Sequence, residues 1–134
     1  MPFTTTSMAL IISAVKTENL VLTPELSGDT LRVHMKGNAD SASNDAFGVF
    51  INKLHAEAQR LHVKEVRLDL TELYFMTSSC IKCFVTWIGF ITNSARIQQY
   101  RLNFVVNPNL RWQKRNLDVL LQLTDLATLT EGES

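Results

Sequence analysis

No stretch of the sequence approaches the ~18 consecutive apolar residues needed to cross a bilayer. The longest early apolar run, Met8 to Val15, is broken by Ser13 and follows Thr4, Thr5 and Thr6. The first basic residue is Lys16, so the positive start of a secretory signal is missing and the expected address is the cytoplasm. A net charge is missing as well. Thirteen Lys and Arg offset thirteen Asp and Glu, which leaves no accumulated positive field for a nucleic acid to answer. Two cysteines cannot frame a small disulfide scaffold. Five glycines and three prolines exclude a collagen-like or linker chain. Gly28, Gly37, Gly48 and Gly89 are scattered and form no phosphate-cradling loop. Carboxylates are dispersed, which denies paired acid/base chemistry its residues. His34, His55 and His62 share no spacing suited to a metal or a catalytic triad. Neither a metal nor a cofactor is expected, and the chain is expected not to be an enzyme.

What remains is the composition of one globular domain. Of 134 residues, 46% are hydrophobic and 19% charged. A chain of that size buries roughly 65–70% of its unfolded surface, enough for a true core. Leu20-Val21-Leu22 reads as a short extended run ended by the Ser27-Gly28-Asp29 turn. Leu31, Val33 and Met35 then alternate with Arg32, His34 and Lys36, a half-buried strand that completes a hairpin. Asp40, Ser41 and Ser43 offer helix N-caps ahead of Phe47, Phe50, Leu54 and Leu61 at helical spacing. Val66 to Leu70 is the next strand. A helix follows from about Ser79, with Ile81, Val85, Ile88, Thr92 and Ala95 as its inner stripe. Leu102 to Val106 is apolar almost throughout, as a strand covered on both faces would be. Asn107-Pro108 stops it, and Leu110 to Leu123 forms a last helix. The order β-β-α-β-α-β-α implies an α/β fold, a mixed sheet with crossover helices. Its boundaries are an N-terminal extension over 1–18 with room for an extra strand, a domain over 19–129, and a flexible tail over 130–134.

In such sheets, sites gather where strands pass into helices, and here that rule selects the segment from Leu73 to Cys83. Thr77, Ser78 and Ser79 present three hydroxyls at a helix start. One of them suffices as a cap. The others suit phosphorylation, because a phosphoryl group at a helix N-terminus meets unpaired N–H groups and the positive end of the dipole. Cys80-Ile81-Lys82-Cys83 has dithiol spacing at a helix start, where thiol pKa values fall, but it lacks the aromatic-Cys-Gly-Pro context of a thioredoxin centre. Cys83, Trp87, Phe90 and Ser94 form a second stripe on the same helix. If exposed, Trp87 suits a protein interface. Arg111-Trp112-Gln113-Lys114-Arg115 is a small basic and aromatic cluster at a solvated helix start.

Val66-Arg67-Leu68-Asp69-Leu70, then Leu73, then Phe75-Met76-Thr77-Ser78-Ser79-Cys80-Ile81, resembles the signature of the STAS family, the anti-sigma factor antagonists. Leu31 to Lys36 followed by Gly37-Asn38-Ala39-Asp40 is similar to that family's second strand with its Gly-x-x-Asp ending, and Leu117 to Leu126 to its last helix. The resemblance implies a STAS-like fold and a partner-switching regulator of transcription. Its partner would be a histidine-kinase-like ATPase acting as switch kinase or anti-sigma factor, and a phosphatase would reset it. Ser78 falls on the phosphorylated position and Ser79 on the neighbouring hydroxyl. Asn38 and Asp40 fall at the edge of the partner site, and Thr77, Cys80, Lys82, Cys83 and Trp87 complete the expected contact set. Thr77 replaces the usual Asp, Cys80 the usual Gly and Lys82 a commonly small residue. These departures leave open modification at Thr77, as in a branch with an Asn-Thr-Ser-Ser turn, and a STAS scaffold or transporter-associated subunit that binds without phosphorylation. A thiol redox protein using Cys80 and Cys83 is the alternative from another class.

Overall fold

Period-two alternation builds the first half of the sheet. The computed structural model describes residues 10–132. In it β1 (Val15–Lys16), β2 (Leu20–Ser27) and β3 (Thr30–Ala39) form an antiparallel meander. Gly28 takes φ +63° in the turn between β2 and β3, a conformation glycine adopts without steric penalty. Leu31, Val33 and Met35 are buried, whereas Arg32 and Lys36 reach solvent. Then follow α1 (Asn44–Arg60), β4 (Glu65–Met76), α2 (Ser78–Thr92), β5 (Arg101–Val106), α3 (Arg111–Leu121) and β6 (Ala127–Glu131). Single 3-10 turns at Ser41–Ser43 and Arg96–Gln98 precede α1 and β5.

The strands lie in sequence order, β1-β2-β3-β4-β5-β6, and every pair from β3 onward is parallel. Each parallel step therefore moves the same way across the sheet. Right-handed crossovers repeated in one direction place α1, α2 and α3 on one face. Burial follows suit. Val66, Leu68 and Leu70 of β4 and Leu102, Phe104 and Val106 of β5 are buried beneath the helices, while Arg67, Asp69 and Val105 are only half-buried. Phe84 of α2 sits at the centre, its ring 5.5 Å from Phe47 of α1 and 5.2 Å from Phe104.

Three expectations need correction. The apolar run Leu102 to Val106 packs beneath the helices on one face only, and on the other Asn103 is buried and Val105 half-buried. Asn103 points to the other side, and its amide donates to the hydroxyls of Thr128 and Thr130 at 2.8 Å each. The tail expected to be loose from residue 130 is instead sheet at its start. Thr130 and Glu131 pair with Val105 and Val106, and the Gly132 N–H donates to the Val106 carbonyl at 2.8 Å. Residues 133 and 134, and the first nine of the N-terminal extension, lie outside the described residues.

The third correction concerns the phase of α2. Its buried face is Cys80, Phe84, Trp87, Ile88 and Ile91, and Val85 is exposed. Trp87 has no exposed surface, and its indole N–H donates to the Tyr100 hydroxyl at 2.7 Å. A side chain held there cannot meet a partner. The phase was hard to read because residues 80–91 are apolar nearly all round the helix. Packing against the sheet then selects the largest rings.

Candidate functional site

The site begins with a disturbance in β4. This strand pairs with β5 only as far as Asp69–Val105, but it stays beside β3 up to Ala39–Met76. Along that extension β4 has an extra residue at two places, between the partners of His34 and Lys36 and between those of Gly37 and Asn38. Such bulges turn carbonyls away from the ladder. Gln113 of α3, fully buried, answers two of them. Its amide nitrogen donates to the Leu70 carbonyl at 2.6 Å and to the Leu73 carbonyl at 2.9 Å. Its amide oxygen accepts the Asn107 N–H at 2.7 Å, and the Asn107 side chain donates to the Thr71 carbonyl at 3.1 Å. The bulged strand is thereby fixed from the side that β5 does not reach. Past it, Tyr74 and Phe75 come out to solvent, 53% and 50% exposed.

Thr77 then turns the chain into α2. Its N–H donates to the Ala39 carbonyl at 3.0 Å, which keeps the ends of β3 and β4 together. Its extended backbone (φ −70°, ψ 159°) and its hydroxyl, which accepts the Cys80 N–H at 3.2 Å, make it the N-cap. The same hydroxyl donates to Asn44 Oδ1 at 2.8 Å. Asn44 Oδ1 also takes the Cys80 thiol at 3.2 Å. Thr77 is thus committed both as acceptor and as donor. Ser78 and Ser79, next in the helix, are exposed, and their hydroxyls make no hydrogen bond among the described residues.

On the neighbouring strand end, Gly37 has φ +106°, and a Cβ there would run into the Asn19 carbonyl oxygen. This close approach puts Asn38 opposite Phe75, with the Asn38 N–H donating to Asn19 at 2.8 Å. Asn38 is exposed. Asp40 accepts from the Asn19 side chain at 2.8 Å and from the Ser43 hydroxyl at 3.1 Å. The Asn19 bond, more than any other contact, holds the Asp40 carboxyl below its ordinary range. None of Asp40, Ser41 and Ser43 caps a helix N–H with its side chain, contrary to expectation. Asp40 and Ser43 brace the loop instead, with Ser43 3.1 Å from the Thr17 hydroxyl.

Lys82 and Cys83 lie one turn on. With Ser79, Asn52, Gly48 and Thr86 they line a cleft of about 220 Å³ between α1 and α2. Cys80 is buried and Cys83 half-buried, and both are free thiols. Burial pushes both pKa values up. Dithiol chemistry needs an accessible thiol of lowered pKa, so the arrangement is the reverse of what that alternative requires. Burial also removes Cys80, like Trp87, from the set of side chains a partner could touch. Among the described residues, no three His, Cys, Asp or Glu side chains come together as metal ligands, and no helix is long and apolar enough to cross a membrane.

The structure therefore gathers Asn38, Thr77, Ser78 and Ser79 at the ends of β3 and β4, with Lys82 on the adjoining turn of α2. It also supplies residues that sequence patterns did not mark. Asn44 had a faint signal as one more polar residue at a helix start. Gln113 had none, because the two carbonyls it serves lie forty and forty-three positions away. Tyr74 and Phe75 would ordinarily be assigned to the core.

No family model matches the sequence, and no curated protein matches it. Among solved structures, the crystal structure of an anti-sigma factor antagonist from Mycobacterium paratuberculosis is similar, with a TM-score of 0.62 at 15% sequence identity. The likeness covers 87% of this chain and 90% of that one. With its mixed sheet and three crossover helices, the chain carries the STAS fold.

Proposed function

We propose that this protein is a non-enzymatic partner-switching regulator whose switch is the hydroxyl of Ser78. Unmodified, the turn docks on a protein partner, a histidine-kinase-like ATPase acting as switch kinase or anti-sigma factor. Transfer of the γ-phosphoryl group of ATP to Ser78 Oγ, with loss of the hydroxyl proton and release of ADP, ends the complex. A phosphatase restores it by hydrolysis.

One observation carries this reading. Of the two hydroxyls that compete for the role, Thr77 is tied to Cys80 and Asn44, whereas Ser78 is exposed and unengaged at the first residue of α2. A phosphoryl group on Ser78 is tolerable within the chain, because helix N–H groups and the dipole face it. It is not tolerable in an interface that closes over it. Burying an unpaired dianion there is unfavourable by at least several kcal/mol. Exposed Phe75 and Tyr74 beside the turn supply apolar area for such an interface. The structural neighbour, named as an anti-sigma factor antagonist, supports the general class.

Intact-mass analysis after incubation with ATP and the ATPase-type kinase tests it. The chain should gain one phosphate, Ser78→Ala should gain none, and Ser78→Asp should fail to bind the kinase. A chain that binds but never gains mass would instead be a scaffold without a phosphorylation step.

A further inference from the structure

Helix α2 runs without interruption from Ser78 to Thr92. Ser78 and Lys82, four residues apart, therefore share one helix face, with Cβ atoms about 5–6 Å apart. Both side chains are exposed. No acidic residue lies in the first turn of α2, and Lys82 makes no ion pair or hydrogen bond among the described residues. Arg67 and Arg101 pair with Glu65, and Lys36 with Glu72, whereas no carboxylate is within reach of Lys82 among the described residues. The positive end of a helix gains nothing from a nearby cation. Lys82 also borders the cleft between α1 and α2 that Ser79 lines.

We propose that Lys82 is the built-in counter-ion of a phosphorylated Ser78. The claim rests on Ser78 as the modified residue and concerns what happens after modification. Lysine four residues C-terminal to an anion is the favourable order for a helical pair, and a phosphate dianion attracts it more strongly than a carboxylate does. Modification then changes the surface twice. A dianion appears at Ser78, and the one unpaired ammonium on this face of α2 turns back to meet it. The modified chain is thereby stabilised as a free species, and a partner loses both the neutral turn and the cation.

The test uses the full chain with phosphoserine installed at position 78 during translation, so no kinase is required. A phosphorus NMR titration reads the second pKa of the phosphate in the otherwise unaltered chain, in Lys82→Arg and in Lys82→Gln. The expected result is a pKa lower by about 0.3 unit or more with Lys82 or Arg than with Gln. That difference should shrink at ~1 M salt. Equal pKa values in all three chains would overturn the proposal. The two claims fail separately. A chain that accepts no phosphate from ATP and kinase sinks the switch at Ser78 without altering this titration. A flat titration removes the role of Lys82 and leaves Ser78 modifiable.

Discussion

The hydroxyl of Thr77 lies 2.8 Å from the amide oxygen of Asn44, which ties the first turn of α2 to the first residue of α1. The Thr77 hydroxyl oxygen also accepts the Cys80 N–H. Thr77→Ala removes both bonds and should destabilise the protein by about 1–2 kcal/mol. Thr77→Ser, which keeps the hydroxyl, should lie within about 0.5 kcal/mol of the parent. Urea denaturation of the three chains measures this, and an alanine variant as stable as the parent would show that the cap contributes nothing.

Gln113 holds the bulged end of β4. Gln113→Leu keeps the volume but leaves the Leu70 and Leu73 carbonyls and the Asn107 N–H without their partner. Each buried orphan costs about 1–3 kcal/mol, so a loss of at least about 2 kcal/mol is expected. Hydrogen exchange should also quicken from residue 70 to 76 more than in β2. Uniform protection with an unchanged urea midpoint would contradict this.

A chain of hydrogen bonds crosses the core from Trp87 to His55. The indole N–H can only donate, so the Tyr100 oxygen accepts it, and His55 Nδ1 shares a further hydrogen bond with that hydroxyl at 2.6 Å, its direction set by the imidazole tautomer. Burial lowers the His55 pKa below its ordinary 6.5. The folded chain therefore binds fewer protons than the unfolded chain just below that value. Stability should be complete above pH 6.5 and decline as the pH falls from there toward the folded pKa. Asp40, Glu57 and Asp69 have carboxyl pKa values lowered from 3.8, 4.5 and 3.8, so their contributions vanish only in more acid solution. His55→Gln should flatten the curve between pH 6.5 and the onset of acid unfolding. An identical slope in the variant would refute the assignment.

Two residues with positive φ should respond in opposite directions. His62, at φ 53°, follows α1 in a Schellman turn, where the Val63 N–H meets the Ala58 carbonyl and the His62 N–H that of Gln59. Glycine prefers that conformation, and His62→Gly should raise stability by about 0.5–1 kcal/mol. Gly37→Ala meets both an unfavourable φ and the Asn19 carbonyl, and should lower it by at least about 2 kcal/mol. Thermal melts of the two variants decide both signs.

Strand alternation at Leu31 to Met35 and the Thr-Ser-Ser helix start carried most of the legible information, since both are local patterns. The phase of α2 was not legible, because a helix apolar on every side takes its orientation from what it packs against. Nor was β6. Ala127 to Glu131 alternates too weakly to announce a strand, and it exists because β5 offers an edge. The roles of Asn44 and Gln113 depend on partners distant in sequence, which no window of neighbouring residues contains.

The affinity of the proposed partner, a histidine-kinase-like ATPase, for two forms of the chain, one with the Ser78 hydroxyl and one with phosphoserine installed there, is the most direct test. Isothermal titration should find binding to the first and at least ~100-fold weaker binding to the second, the equivalent of losing about 3 kcal/mol. Equal affinities, or a phosphate that kinase and ATP place on Thr77 and never on Ser78, would contradict the account.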